Sequence, residues 1–148
     1  VFIKIRAAKL EDIPALLRLE QTFPGDRLQG WSFYYFLAKS KADVWVIEAG
    51  GLIQGDAVVT YRKNSKRARL YSIVISPDAR GKGMGGILLA HLEENAKQRK
   101  YNTLSLEVRE DNKGAIKFYK ARGYEVIGQK ENYYEDGETA LQMQKQLA

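Results

Sequence analysis

The 148-residue chain contains no cysteine. Disulfides, thiolate metal sites and a cysteine nucleophile are thereby excluded together. A single histidine, His91, leaves little material for a histidine-based zinc site or a Ser-His-Asp triad, and no metal is expected. Proline is scarce, with three residues, and there is no Ser/Pro-rich linker, repeat or low-complexity tract. Nothing divides the chain, so residues 1–148 are expected to form one domain. No apolar run approaches the roughly 18 residues of a membrane span. No basic, apolar and small-residue series opens the sequence, so neither a membrane anchor nor a signal peptide is expected.

What is present is an ordinary globular balance, 45% hydrophobic and 28% charged, which excludes a mostly disordered chain. Lys and Arg number 24 against 18 Asp and Glu, for a net charge of +6. Such an excess suits an acidic partner, whether nucleic acid, a phosphorylated cofactor or a ribosomal surface. The basic residues are dispersed, however, and a soluble basic domain accounts for the charge by itself.

Phe2 to Arg6 alternates as a first strand. Leu10, Ile13, Leu16 and Leu17 keep helical spacing, predicting a helix over 9–20 in which Pro14 must lie near the first turn. Phe23-Pro24-Gly25-Asp26 breaks the pattern, and Trp31 to Ala38 reads as a short aromatic helix. Val44–Glu48, Ile53–Tyr61 and Ala68–Ile75 read as strands, the first two joined by a Gly50-Gly51 turn. A long helix over Gly83–Arg99 and a strand over Thr103–Val108 follow. The next helix, Asn112–Arg122, is closed by Gly123. Tyr124–Tyr134 and Thr139–Leu147 alternate like a closing antiparallel pair. Only the strand–helix–strand around residue 83 demands a parallel crossover. An α+β fold follows, with a mixed, mostly antiparallel central sheet and helices on both faces.

The most informative stretch is Ser76-Pro77-Asp78-Ala79-Arg80-Gly81-Lys82-Gly83-Met84-Gly85-Gly86. It leaves a strand and opens a helix. Glycines there let backbone N–H groups approach an anion, the helix N-terminus adds partial positive charge, and Arg80 and Lys82 add formal charge. Gly81-x-Gly83-x-x-Gly86, with Glu107 some 21 residues on, imitates a dinucleotide fingerprint. The context rejects it. Five residues separate Ile75 from Gly81, and only 62 remain after Gly86, patterned as antiparallel strands rather than further βα units. No Lys-Ser or Lys-Thr pair follows the glycines, so a P-loop is absent too.

In the frame Arg80-x-x-Gly83-x-Gly85 the loop resembles the acetyl-CoA motif of the GNAT acetyltransferase superfamily, and the element order resembles that fold along nearly the whole chain. Leu104–Arg109, Asn112–Tyr119, Gly123-Tyr124, Asn132-Tyr133-Tyr134 and the Asp136-Gly137 turn resemble the RimI type, the ribosomal-protein alanine N-acetyltransferases. The resemblance implies acetyl-CoA as co-substrate and a protein N-terminus, such as that of a ribosomal protein, as acceptor. It implies a cytoplasmic setting with no nucleic-acid or membrane partner. It also implies a residue assignment. Ile73, Val74 and Ile75 line the pantetheine arm through their backbone. Arg80, Gly81, Lys82, Gly83, Met84, Gly85 and Gly86 hold the pyrophosphate, although position 86 is often basic in relatives and Gly86 supplies no side chain. Asn112 binds near the thioester, Glu107 is the general base and Tyr119 the general acid.

The chemistry accommodates those roles. An α-amine has a pKa of roughly 7.7–8.0, against roughly 10.4 for lysine, and a carboxylate can take its proton directly or through water. Glu107 lies opposite Leu104, Leu106 and Val108, on the face of Thr103 and Ser105; without the motif it reads equally as a solvated strand residue. Tyr119, a phenol able to protonate a departing thiolate, also fits a packing stripe with Ala115, Ile116 and Arg122. The oxyanion donor is expected near Val74 or Ile75, where the strands must part. His91, at the edge of the packed stripe, reads as structural. Trp31, Phe33, Tyr34, Tyr35 and Phe36 either wall an acceptor pocket or pack the core. Gly25-Asp26 stands where a tryptophan commonly follows Phe-Pro in the RimI type, so the acceptor stays open. A small-amine or antibiotic acetyltransferase and a non-catalytic CoA-binding domain are the alternatives.

Overall fold

Seven strands hydrogen-bond into one sheet in the order β1-β2-β3-β4-β5-β7-β6. The computed structural model describes residues 2–22, 30–38 and 41–147, the Trp31 side chain excepted. The strands are β1 Ile3–Ala7, β2 Ala42–Ala49, β3 Leu52–Tyr61, β4 Arg67–Ile75, β5 Thr103–Arg109, β6 Glu125–Lys130 and β7 Ala140–Gln146, and the helices are α1 Ile13–Glu20, α2 Gly30–Ala38, α3 Met84–Gln98 and α4 Lys113–Ala121. Every neighbouring pair is antiparallel except β4 and β5, which α3 connects in parallel.

Strand alternation sorts the core into two layers. Val44, Val46 and Val58 face one side, where Leu16 of α1 and Phe33 of α2 cover them. Ile47, Ala57, Val59, Leu104 and Leu106 face the other, under Leu88, Leu89 and Leu92 of α3 and Ile116 and Tyr119 of α4. The α+β class with helices on both faces is thus realised.

The predicted 9–20 helix divides into a 3-10 turn at Leu10–Asp12 and α1. The reason is local. Asp12 accepts from the Lys9 backbone N–H at 2.7 Å and from both terminal nitrogens of Arg6 at 2.8 and 3.0 Å. Pro14 then falls within the first turn of α1, where its missing N–H costs nothing. Gly50 and Gly51 both take positive φ, +62° and +79°, as the two-residue hairpin requires. The predicted strand to Tyr134 stops at Lys130. Asn132 turns to φ +53°, and Tyr133–Asp136 loops back through a Gly137 N–H bond to the Tyr134 carbonyl at 2.9 Å.

Candidate active site

β4 and β5 pair only from Arg67 to Leu70 against Thr103 to Leu106, although β4 runs on to Ile75 and β5 to Arg109. At the same level the β3–β4 register slips. Val58 pairs with Ser72 and Val59 with Leu70, so Tyr71 is an extra, bulged residue. A bulge bends and twists its strand, and here β4 turns away from β5. Ile73, Val74 and Ile75 keep Ala57, Asp56 and Gly55 as partners on one edge. Their other edge has no strand beside it. The strands part along the stretch where the resemblance implies a splay.

At the end of β4, Ser76 caps a short 3-10 turn, Pro77–Ala79, accepting from the Asp78 N–H at 3.3 Å. Gly81 and Gly83 then adopt φ +78° and +80°, a conformation that L side chains resist, and a Cβ on either would meet nothing within 4 Å. Gly83 is the N-cap of α3, and Ile87 is the first residue to bond back, to the Gly83 carbonyl at 3.1 Å. The N–H groups of Met84, Gly85 and Gly86 therefore point out of the first turn without intrahelical partners. Open space, outward N–H groups and a helix N-terminus fit a phosphate. Lys82 is exposed beside them. Arg80 spends its Nε on the Ile75 carbonyl at 3.2 Å, which anchors the loop to the strand end.

Glu107 faces away from the α3–α4 layer, as its alternation predicted, but it is not a solvated glutamate. Its side chain is only 10% exposed. Arg69 donates from Nε to Oε1 at 2.9 Å, and Lys130 Nζ stands 3.7 Å from Oε2. Arg69 also donates to the Tyr133 hydroxyl at 2.9 Å and lies 5.4 Å from the centre of the Tyr71 ring. Burial is the largest single influence and works against its charge, yet the hydrogen bond and charge of Glu107, together with Tyr133, outweigh it and raise its proton affinity. The Tyr71 ring in turn packs on Phe36 of α2 at 5.0 Å. Phe36, Tyr71, Arg69, Glu107, Lys130 and Tyr133 thus form one continuous patch. Of the aromatic α2 residues, Phe33 is buried in the core while Tyr34 and Tyr35 are exposed; Trp31's side chain and Gly25-Asp26 lie outside the described residues.

Tyr119 belongs to the opposite layer. It is buried, with its ring 5.2 Å from Phe118 and 5.6 Å from Tyr124. Burial pushes its phenol above the usual range and Tyr134 adds to the effect. Its position is fixed by both ends of α4. Asn112 caps the start, its side-chain oxygen accepting from Ala115 N–H at 3.1 Å. At the other end Tyr124 N–H bonds to the Tyr119 carbonyl at 3.1 Å, Gly123 N–H bonds to that of Lys120 at 3.2 Å, and Gly123 takes φ +94°. This is a Schellman closure. Glu107 and Tyr119 stand on opposite faces of the sheet, and Glu107 lies on the stretch of β5 that has parted from β4.

Three features escaped the sequence reading or fall elsewhere. Asp56, opposite Val74 in the register, is fully buried, and neither carboxylate oxygen has a hydrogen-bond partner among the described residues. Burial pushes its pKa well above the ordinary carboxylate range, with Glu20 contributing. The only hint in the sequence is an acid inside an apolar strand. His91, read from the sequence as structural, has its ring edge-on to Trp45 at 4.7 Å. A cavity of about 500 Å³ between α4 and β7, lined by Glu110, Asp111, Lys113 and Lys120 among others, lies on the β7 side of β5 and holds none of the predicted residues. Among the described residues no His/Asp/Glu group has the arrangement of a metal site, and no helix is long and apolar enough to cross a membrane.

Strands that part beside a loop open to a phosphate suit a long phosphorylated thioester, as the resemblance to the acetyl-CoA-dependent N-acetyltransferases implies. The chain belongs to the acetyltransferase (GNAT) family, whose sequence model matches residues 10–124. A Bacillus subtilis (strain 168) protein, provisionally assigned as a ribosomal protein bS18-alanine N-acetyltransferase, is 33% identical over 141 residues, 94% of this chain and 92% of that one. A streptothricin acetyltransferase of Streptomyces lavendulae is 34% identical over 101 residues, 66% of this chain and 53% of that one. The crystal structure of the Escherichia coli ribosomal-protein-S18-alanine N-acetyltransferase superposes with a TM-score of 0.90 at 27% identity, covering 99% of this chain and 95% of that one.

Proposed function

We propose that this N-acetyltransferase acts on the free α-amine of a protein N-terminus, a ribosomal protein being the expected acceptor, and that residues 1–148 form one catalytic domain. The observation that carries the reading is the carboxylate of Glu107, largely enclosed beside the open edge of β4. The printed names of the Bacillus subtilis and Escherichia coli relatives support the acceptor. A cytoplasmic location goes with that acceptor.

Acetyl-CoA supplies the acyl group and a thiol leaving group. The backbone of Gly81–Gly86, with Arg80 and Lys82, binds its pyrophosphate. Ile73, Val74 and Ile75 run along the pantetheine arm, and an N–H on that free edge meets the negative charge developing at the carbonyl oxygen. Asn112 has its oxygen committed to Ala115, which leaves its side-chain nitrogen free for the role near the thioester that the resemblance implies. Glu107 takes the proton from the attacking nitrogen, directly or through one water. An α-amine is far more often neutral at pH 7 than a lysine, which suits a base already engaged by Arg69. Tyr119 delivers its hydroxyl proton to the departing sulfur.

A peptide with a free α-amine is expected to be acetylated much faster than its N-blocked, lysine-bearing analogue. The second reading, a small-molecule amine acceptor, rests on the streptothricin acetyltransferase relative. Equal or faster turnover of streptothricin or polyamines in the same assay would replace the first reading with the second.

A further inference from the structure

We propose that Arg122, at the C-terminal end of α4, is a phosphate ligand of acetyl-CoA, supplying from a second helix the cation that Gly86 lacks. The inference rests on the acetyl-CoA reading and adds a residue to it. A Cβ built on Gly86 would lie 3.0 Å from Arg122 Nη2 and 3.2 Å from its Nε. The guanidinium therefore occupies the space into which a side chain at position 86 would project. Gly86 is in the first turn of α3, beside the outward N–H groups of the glycine loop.

Its placement is unfavourable unless an anion joins it. The first turn carries the positive end of the helix dipole, and a cation there is repelled. Among the described residues Arg122 has no carboxylate partner. Its Nη1 donates to the Phe118 carbonyl at 3.0 Å, and its guanidinium carbon lies 3.8 Å from the centre of the Phe118 ring. One nitrogen thus ties the group down while the face toward Gly86 stays available. The stem is held as well, since Arg122 is the C-cap residue of α4 and is followed by the Gly123 and Tyr124 closure. A planar fork held in this way matches a phosphate in two-point geometry. The ligand chemistry is a pyrophosphate at the mouth of α3.

Calorimetric titration of CoA, dephospho-CoA and pantetheine separates the phosphates. Arg122→Met keeps the stem over Phe118 and removes the charge. It is expected to weaken CoA and dephospho-CoA alike, by about tenfold or more, and to leave pantetheine unchanged. Arg122→Lys should recover part of the loss, and Gly86→Arg combined with Arg122→Met should restore most of it. The double variant keeps the test open if Arg122→Met alone folds poorly. CoA binding by Arg122→Met equal to that of the unaltered protein overturns the proposal. A loss confined to CoA, with dephospho-CoA unaffected, overturns the assignment to the pyrophosphate. If the unaltered protein itself binds no CoA, it is the cofactor reading that falls.

Discussion

Arg69 and Glu107 are joined twice, by Nε at 2.9 Å and by Nη2 at 2.7 Å, both to the same carboxylate oxygen. Oε1 is thereby engaged, and among the described residues the one cation within ion-pair range of Oε2 is Lys130, at 3.7 Å. An amine or a water arriving at Glu107 meets Oε2. The pairing orients the carboxylate and makes Arg69 a positioning residue for it.

Glu107→Gln should lower kcat by roughly 10²–10⁴-fold at neutral pH and regain part of it at high pH, where the amine is already neutral. Sequence alone suggests no change in stability. The structure revises that, because Arg69 loses its anion. The cost is about 1 kcal/mol once Arg69's partial exposure is allowed for. A double-mutant cycle with Arg69→Gln, read by Tm and by kcat, checks both statements. Full activity of Glu107→Gln at neutral pH would remove Glu107 from the mechanism.

Tyr119→Phe retains the ring contacts with Phe118 and Tyr124 and removes only the hydroxyl. As the general acid, its loss should cost roughly 10²–10⁴-fold in kcat, with CoA affinity and Tm nearly unchanged. Burial pushes the phenol above its usual value, so it is protonated throughout the working range and the defect should not vary with pH. Full activity with a lowered Tm would make Tyr119 a packing residue.

Gly83 and Gly85 should respond differently. A Cβ on Gly85 would make ordinary contact with Phe118, at 3.5 Å, whereas Gly83 sits at φ +80°. Gly85→Val should raise the acetyl-CoA KM with only the modest cost of a β-branched residue in a helix. Gly83→Val should raise KM and also lose about 1–2 kcal/mol of stability through left-handed strain. Equal Tm values for the two variants would contradict the loop geometry.

Asp56 makes stability depend on pH with a definite sign. Its folded pKa is raised, so the folded state keeps a proton that the unfolded state releases above about pH 4. Stability should fall as pH rises from there until the folded value is passed. Asp56→Asn removes the titration. Its Tm advantage over the unaltered protein should therefore be larger at pH 8 than at pH 4, and a constant difference would exclude this account.

Local chemistry made much of this legible. The glycine loop, the Asn112 start and Gly123 end of α4, and the face of Glu107 are set by neighbours in sequence. The partners of Glu107 are not. Arg69 lies 38 residues before it, and the Arg69–Tyr133 bond spans 64. The Tyr71 bulge has no local signature, since Leu70, Tyr71 and Ser72 read as uninterrupted strand. Arg122 and Gly86 meet only because α3 and α4 pack side by side. The strand to Tyr134 was overextended because tyrosines favour strands, whereas Asn132 tolerates the left-handed turn that ends it.

The sheet's two antiparallel sections, β1–β4 and β5–β7–β6, are joined only by a four-residue parallel pairing that ends where Leu70 meets Leu106. Amides of Ala68 to Leu70 lie between paired strands on both sides and should be among the last to exchange with deuterium. Those on the free edge of Ile73 to Ile75 should exchange early. A ligand lying in the gap would bridge the two sections, slow that exchange and raise the melting temperature with the logarithm of its concentration once that exceeds Kd.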